Sequence, residues 1–211
     1  MLDQLFFLLK DPLQFLNDFI AAHGALTYVL LFAILFTETG LVVMPLLPGD
    51  SLLFSVGMLA AASGQLALET VIPMMIIAAL LGDQLNYFIG KHFGDFIKKK
   101  ERILFLKSEH LAKTEAFYAK YGSKTVILAR FIPIVRTVAP FVAGAGKMPY
   151  ALYLTYGIIG AVIWVLALTS AGYYLGDNVW VKSNFEKVVL GIVGFSVLPI
   201  IWGLIKAKLS K

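Results

Sequence analysis

Arg130 and Arg136 stand six residues apart in Ser123–Met148, SKTVILARFIPIVRTVAPFVAGAGKM, a stretch otherwise apolar enough for a bilayer. Charge in such surroundings is costly and marks function. An arginine presents a planar fork of N–H donors that matches a phosphate. On an unbroken helix a separation of six would turn the two side chains about 120° apart around the axis. Pro133 between them breaks the helix, so both can turn toward one cavity. Thr137 begins the following arm, where free backbone N–H groups and the positive end of the helix dipole suit an anion. Arg130, Arg136 and Thr137 are therefore the candidate phosphate-binding residues.

Three carboxylates lie in equally apolar surroundings. Glu38 comes seven residues before Pro45, Asp50 directly follows Gly49, and Asp83 sits mid-span near Asn86. A desolvated carboxylate can hold a proton near neutral pH, whereas one beside an arginine becomes its charge partner. Glu38, Asp50 and Asp83 are candidates for proton coupling or ion pairing, and the residues alone leave both roles open. Blander readings stand beside these. Asp50 in Pro48-Gly49-Asp50-Ser51 is a good helix N-cap; Asp83 and Asn86 could simply tie helices together; Glu38 could be a packing or surface residue. His23, His92 and His110 are far apart and the chain has no cysteine, so neither a metal nor a cofactor is expected.

The elements that carry these residues follow from composition. The 211 residues are 59% hydrophobic and 15% charged, with a mean hydropathy of +0.83. Soluble domains lie nearer half apolar and a quarter charged. The expected class is an all-α polytopic membrane protein, its breaks marked by Pro45, Pro48, Gly49, Pro133 and Pro140. The arginine stretch is too short to cross twice: thirteen residues per arm give roughly 20 Å against a hydrocarbon core of about 30 Å. It reads as a re-entrant hairpin, since broken backbone at membrane depth must be buried in protein or line a wet cavity.

Residues 1–23 read as an amphipathic interfacial helix broken near Pro12, and 24–206 as the membrane domain. Within the latter, hairpins are expected at about 24–68 and 123–148, and spans at about 71–90, 151–175 and 186–205. Residues 91–122 form a basic loop containing an amphipathic helix near 108–121. Nine Lys/Arg against four Asp/Glu between Lys91 and Lys124 account for the whole net charge of +5. That is a cytoplasmic loop under the positive-inside rule, and it removes any need for nucleic acid as a partner. Gly57, Gly144 and Gly146 read as close-packing positions, and Trp164, Trp180, Trp202 and Tyr150 as interfacial or lipid-facing aromatics. Pro45 and Pro133, 88 positions apart, suggest a degenerate repeat; inverted repeats of this kind place a site between broken helices.

Three motifs together resemble the DedA family of bacterial inner-membrane proteins, also described by the VTT domain. They are Phe36-Thr37-Glu38-Thr39-Gly40-Leu41 leading to Pro45-Leu46-Leu47-Pro48-Gly49-Asp50-Ser51-Leu52-Leu53-Phe54; Gly82-Asp83-Gln84-Leu85-Asn86-Tyr87 with Gly90; and Ala129-Arg130-Phe131-Ile132-Pro133-Ile134-Val135-Arg136-Thr137 running to Pro140-Phe141-Val142-Ala143-Gly144. The resemblance spans nearly the whole chain. It implies two facing re-entrant hairpins and a multi-pass lipid transporter of the bacterial inner membrane. The family's functional acidic and arginine pairs fall on Glu38, Asp50, Arg130 and Arg136. The implied cargo is undecaprenyl phosphate or a phospholipid, moved in dependence on the proton motive force. Protons and membrane lipids are thus the expected partners, with homo-oligomerisation left open. Two other classes remain: a proton-coupled ion antiporter or osmotic-stress protein, and an intramembrane lipid phosphatase. The phosphatase is disfavoured because no His, Cys or Ser adjoins the arginines in sequence.

Overall fold

The computed structural model describes residues 12–41, 49–64, 66–99, 102–103, 106–107, 122, 124–176, 178–184, 187–188 and 191. Eight helices are found among them: α1 Pro12–His23, α2 Leu26–Gly40, α3 Gly49–Ser63, α4 Leu68–Lys99, α5 Thr125–Ala129, α6 Pro133–Ala145, α7 Tyr150–Leu175 and α8 Val179–Ser183. The one strand pairing among the described residues joins β1, Arg102–Ile103, to β2, Leu106–Lys107, antiparallel. Two helical stretches, Leu68–Phe93 and Tyr150–Leu175, are long and apolar enough to cross a membrane. At 1.5 Å per residue each is about 39 Å long. By contrast α2 and α3, with 15 residues each, and α6, with 13, fall short of a hydrocarbon core.

Several boundaries differ from expectation for local reasons. α4 runs on to Lys99, so the basic loop begins as helix, its Lys91–Lys99 turns continuing the span without an intervening Gly-Pro signal. α1 begins at Pro12, because proline at the first helical position gives up only an N–H that would be unpaired anyway. Pro73 lies inside the second turn of α4, where it withholds the N–H that would serve the Glu69 carbonyl. The amphipathic helix near 108–121, Pro45, Pro48, Trp202 and nearly all of the 186–205 span lie outside the described residues.

The chain packs as two compact units. The first comprises residues 1–31, 47–74 and 165–211. There α1 turns Leu16 and Ile20 inward, with Asn17 and Asp18 outward, and lies against α3. Phe54, Met58 and Val181 form a core joined by Leu13, Ala171 and Val188. A Cβ on Gly57 would collide with the backbone of Thr169 and Tyr173, which is why α3 and the end of α7 can touch main chain to main chain.

The second unit comprises residues 32–46 and 75–164. Its core is Tyr87, Val126, Ala143 and Tyr153, flanked by Met148 and Tyr156. Gly82 on α4 meets Gly40 on α2 so closely that a Cβ at Gly40 would sit 3.2 Å from the Gly82 Cα. Gly144 on α6 likewise leaves room for the Tyr87 backbone. These crossings bring α2, α4 and α6 within reach of one another's short polar side chains. Gly146 serves differently, as the C-cap residue of α6.

Candidate functional site

The site lies within the second unit and starts from the break between α5 and α6. Arg130 is the C-cap of α5, Ile132 is extended (φ −112°, ψ 107°), and Pro133 opens α6. Proline cannot continue a helix from the previous turn but is preorganised to begin one. The break resets the helical phase, so the separation of six no longer sets the angle between the arginines. Pro140 lies inside α6, where it removes the N–H that would serve the Arg136 carbonyl.

Both guanidinium groups are paired. Arg130 bonds Asp83 on α4, and Arg136 donates to Glu38 on α2. Glu38 is 1% exposed, and Arg130 and Asp83 are also buried. Glu38 sits two residues from the C-terminal end of α2, where the helix dipole disfavours a negative charge; the Arg136 cation offsets that. Thr39 beside it turns its hydroxyl back to the Leu35 carbonyl at 2.9 Å.

A second layer fixes the helices that carry these pairs. The Asn86 amide donates to the Thr39 carbonyl at 3.3 Å and to the Thr137 carbonyl at 2.6 Å. The Thr39 carbonyl is among the last four of α2 and has no partner within its own helix among the described residues. Asn86 therefore acts as a cap delivered from another helix. Tyr153 on α7 donates to the Asp83 carbonyl at 3.1 Å, and Tyr87 to the Met148 carbonyl at 2.7 Å.

The arginines, Thr39, Asp83, Pro140 and Tyr153, with small apolar neighbours, enclose a cavity admitting water centres over about 20 Å³. A single water needs roughly 10–15 Å³ on that measure. In this state one terminal nitrogen of each guanidinium is held by a carboxylate, and a phosphate can take that position only as the acid gives way.

The expected site residues separate as follows. Glu38, Asp83, Arg130, Arg136 and Thr137 all fall in the second unit, with Pro133 and Pro140 shaping it. Asp50 and Gly49 belong to the first unit. Asp50 is buried in the first turn of α3, which starts at Gly49; a carboxylate there is favoured by the helix dipole. Thr137 needs a correction. Because α6 already starts at Pro133, and the Arg136 N–H bonds the Ile132 carbonyl at 2.9 Å, Thr137 lies one turn inside the helix and is not its open N-terminal donor. Trp164 is the second correction. It is 2% exposed and carries the Arg136 guanidinium 4.9 Å, and that of Arg130 5.7 Å, from its ring centroid. Trp180, at 62% exposure, retains the open position expected of an interfacial aromatic. Tyr153 was also missed; an aromatic in a uniformly apolar span gives no signal until its helix neighbours are known.

This fold and site define a helical membrane protein with a small cavity lined by paired charges. The model of the VTT domain matches residues 47–174. Protein DedA of Escherichia coli K12 is 44% identical over 98% of this chain and 96% of its own length. An uncharacterized membrane protein of Mycobacterium leprae is 45% identical over 79% of this chain and 74% of its own. The inner membrane protein YqjA of Escherichia coli K12 is 30% identical over 84% and 80%. The chain belongs to the DedA family. No solved structure matches it.

Proposed function

We propose that this protein translocates a phosphate-bearing lipid across the bacterial inner membrane, with undecaprenyl phosphate as the cargo and the proton motive force as a driving or permitting condition. The observation that carries the reading is the pairing of a buried arginine, Arg130, and a half-buried one, Arg136, one on each side of a helix break, with carboxylates from two different helices. Each pair is an arginine edge that a phosphate can take over from a carboxylate of similar geometry. The lipid tail need never leave the bilayer; only the head group requires the polar route.

Charge balance supports a link to protons. Two arginines and two carboxylates sum to zero. A phosphate monoester brings a charge of about −1.5 to −2 at neutral pH, which is hard to hold in a low-dielectric site without compensation. Protonation of Glu38 or Asp83 as the phosphate arrives both frees an arginine edge and restores the balance. Asp50, in the other unit, is a separate candidate for proton exchange.

The test uses proteoliposomes containing undecaprenyl phosphate and an impermeant phosphate-binding reagent. Wild-type protein is expected to expose inner-leaflet lipid faster than empty vesicles, and Arg136→Ala to abolish the gain. Exposure at the empty-vesicle rate with and without a pH gradient would reject lipid translocation. The small cavity favours one second reading, a proton-coupled ion antiporter, because it accommodates a water-sized ion and not a phosphate. Proton uptake unaffected by added lipid would select that reading.

A further inference from the structure

We propose that Trp164 is a positioning residue that holds the faces of Arg130 and Arg136 while their edges exchange one anion for another. The inference rests on the phosphate reading above for its ligand, and on the geometry of a guanidinium for its logic. A guanidinium interacts in two independent directions: its N–H edges take carboxylate or phosphate in plane, and its faces stack on aromatic rings. Here the edges go to Asp83 and Glu38. Both groups stand at cation–π distance from one indole, 5.7 Å for Arg130 and 4.9 Å for Arg136.

α7 is built to deliver that ring. Tyr153, Gly160 and Trp164 lie on its buried side, at spacings of seven and four that share a helix face. Gly160, one turn before Trp164, lies beside the Arg130 stem: a Cβ there would stand in ordinary contact with the Arg130 Cδ and Nε at 3.6 Å. Arg130 thus lies along α7 before reaching the ring.

The consequence concerns the exchange itself. Two cations that lose their carboxylates in a dry site repel each other and would reorient. The ring contributes a partner that neither step of the exchange removes, so each edge stays aimed at the cavity. Lysine has no such face, and an aliphatic residue in place of the tryptophan would fill space without attracting the cations.

The experiment uses the full-length protein in detergent with farnesyl phosphate as the probe, titrated calorimetrically. Trp164→Leu is expected to weaken binding on the order of 10- to 30-fold, the worth of a desolvated cation–π contact. Trp164→Phe, which keeps a smaller ring, is expected to recover most of that loss. A leucine variant that binds as tightly as wild type, or a folded phenylalanine variant as weak as leucine, would overturn the proposal. Arginine side-chain NMR supplies a readout independent of any phosphate. The Hε signals of Arg130 and Arg136 should be displaced by the indole ring current in wild type and return to ordinary positions in Trp164→Leu. Undisplaced signals in the wild-type protein would refute the positioning role. Displaced signals in a protein that binds no farnesyl phosphate would uphold it and reject the phosphate reading alone.

Discussion

Among the described residues, the second unit holds a buried cation, Arg130, and a half-buried one, Arg136, which meet Asp83 and Glu38. The first unit buries a carboxylate, Asp50, with Ser51, Ser55, Thr27 and Thr169, and no arginine. Both units use the same packing device, glycines that let helix backbones touch. Their polarity differs in kind. A buried ion pair adds little net stability for its desolvation cost, yet it is expensive to halve, since removing one member strands the other. A hydroxyl that makes no hydrogen bond among the described residues, as with Ser55 Oγ and Thr169 Oγ1, contributes little that its removal could lose. The second unit is therefore committed to its charges, whereas the first can lose these two hydroxyls with small structural consequence.

That contrast can be broken most forcefully at Arg136. Replacement by alanine is expected to destabilise the protein by about 3–5 kcal/mol and to eliminate lipid exposure. Adding Glu38→Gln should restore most of the stability in denaturant titrations while transport stays absent. Recovery of transport in the double variant would mean the arginine matters only as a counter-charge. Asp50→Asn probes the other unit. The expected result in proteoliposomes is loss of the response to a pH gradient with gradient-free exchange retained; an unchanged response would remove Asp50 from the coupling.

Smaller effects sharpen the comparison. Asn86→Leu frees two buried carbonyls at once and should cost about 1–3 kcal/mol in unfolding measurements, a figure near zero meaning that α2 and α6 do not rely on that amide. Ser55→Ala and Thr169→Val are expected to shift stability by less than about 1 kcal/mol. A cost above about 2 kcal/mol at either would reveal a hydrogen bond to water or ligand within the first unit and erase the distinction between the units.

Much of this was readable from residue types that conflict with their surroundings. Arg130, Arg136, Glu38 and Asp83 are conspicuous because nothing else near them is charged, and Pro133 announces where the helix must restart. Their pairing was not readable. Arg136 lies 98 residues from Glu38, and sequence spacing carries no information about which helix crosses which. Trp164 escaped for a related reason. In a run such as Ala161-Val162-Ile163-Trp164-Val165 an indole looks like one more apolar side chain, and only the position of a break some thirty residues earlier gives it a cation to hold. Thr137 misled because the sequence marks a proline but does not say which residue becomes the first of the new helix.

The glycine crossing of α2 and α4 sets the electrical character of the site. It brings Glu38 and Asp83 to the two arginines, so the quartet carries no net charge. A rearrangement that moved the quartet as a body through the membrane field would do no electrical work, although each unbalanced charge would exchange about 2.3 kcal/mol per 100 mV. Membrane voltage then has no purchase on the paired quartet itself. It acts only on what the cargo and its accompanying protons bring in, so current recorded across a membrane should appear with the lipid and fall silent without it.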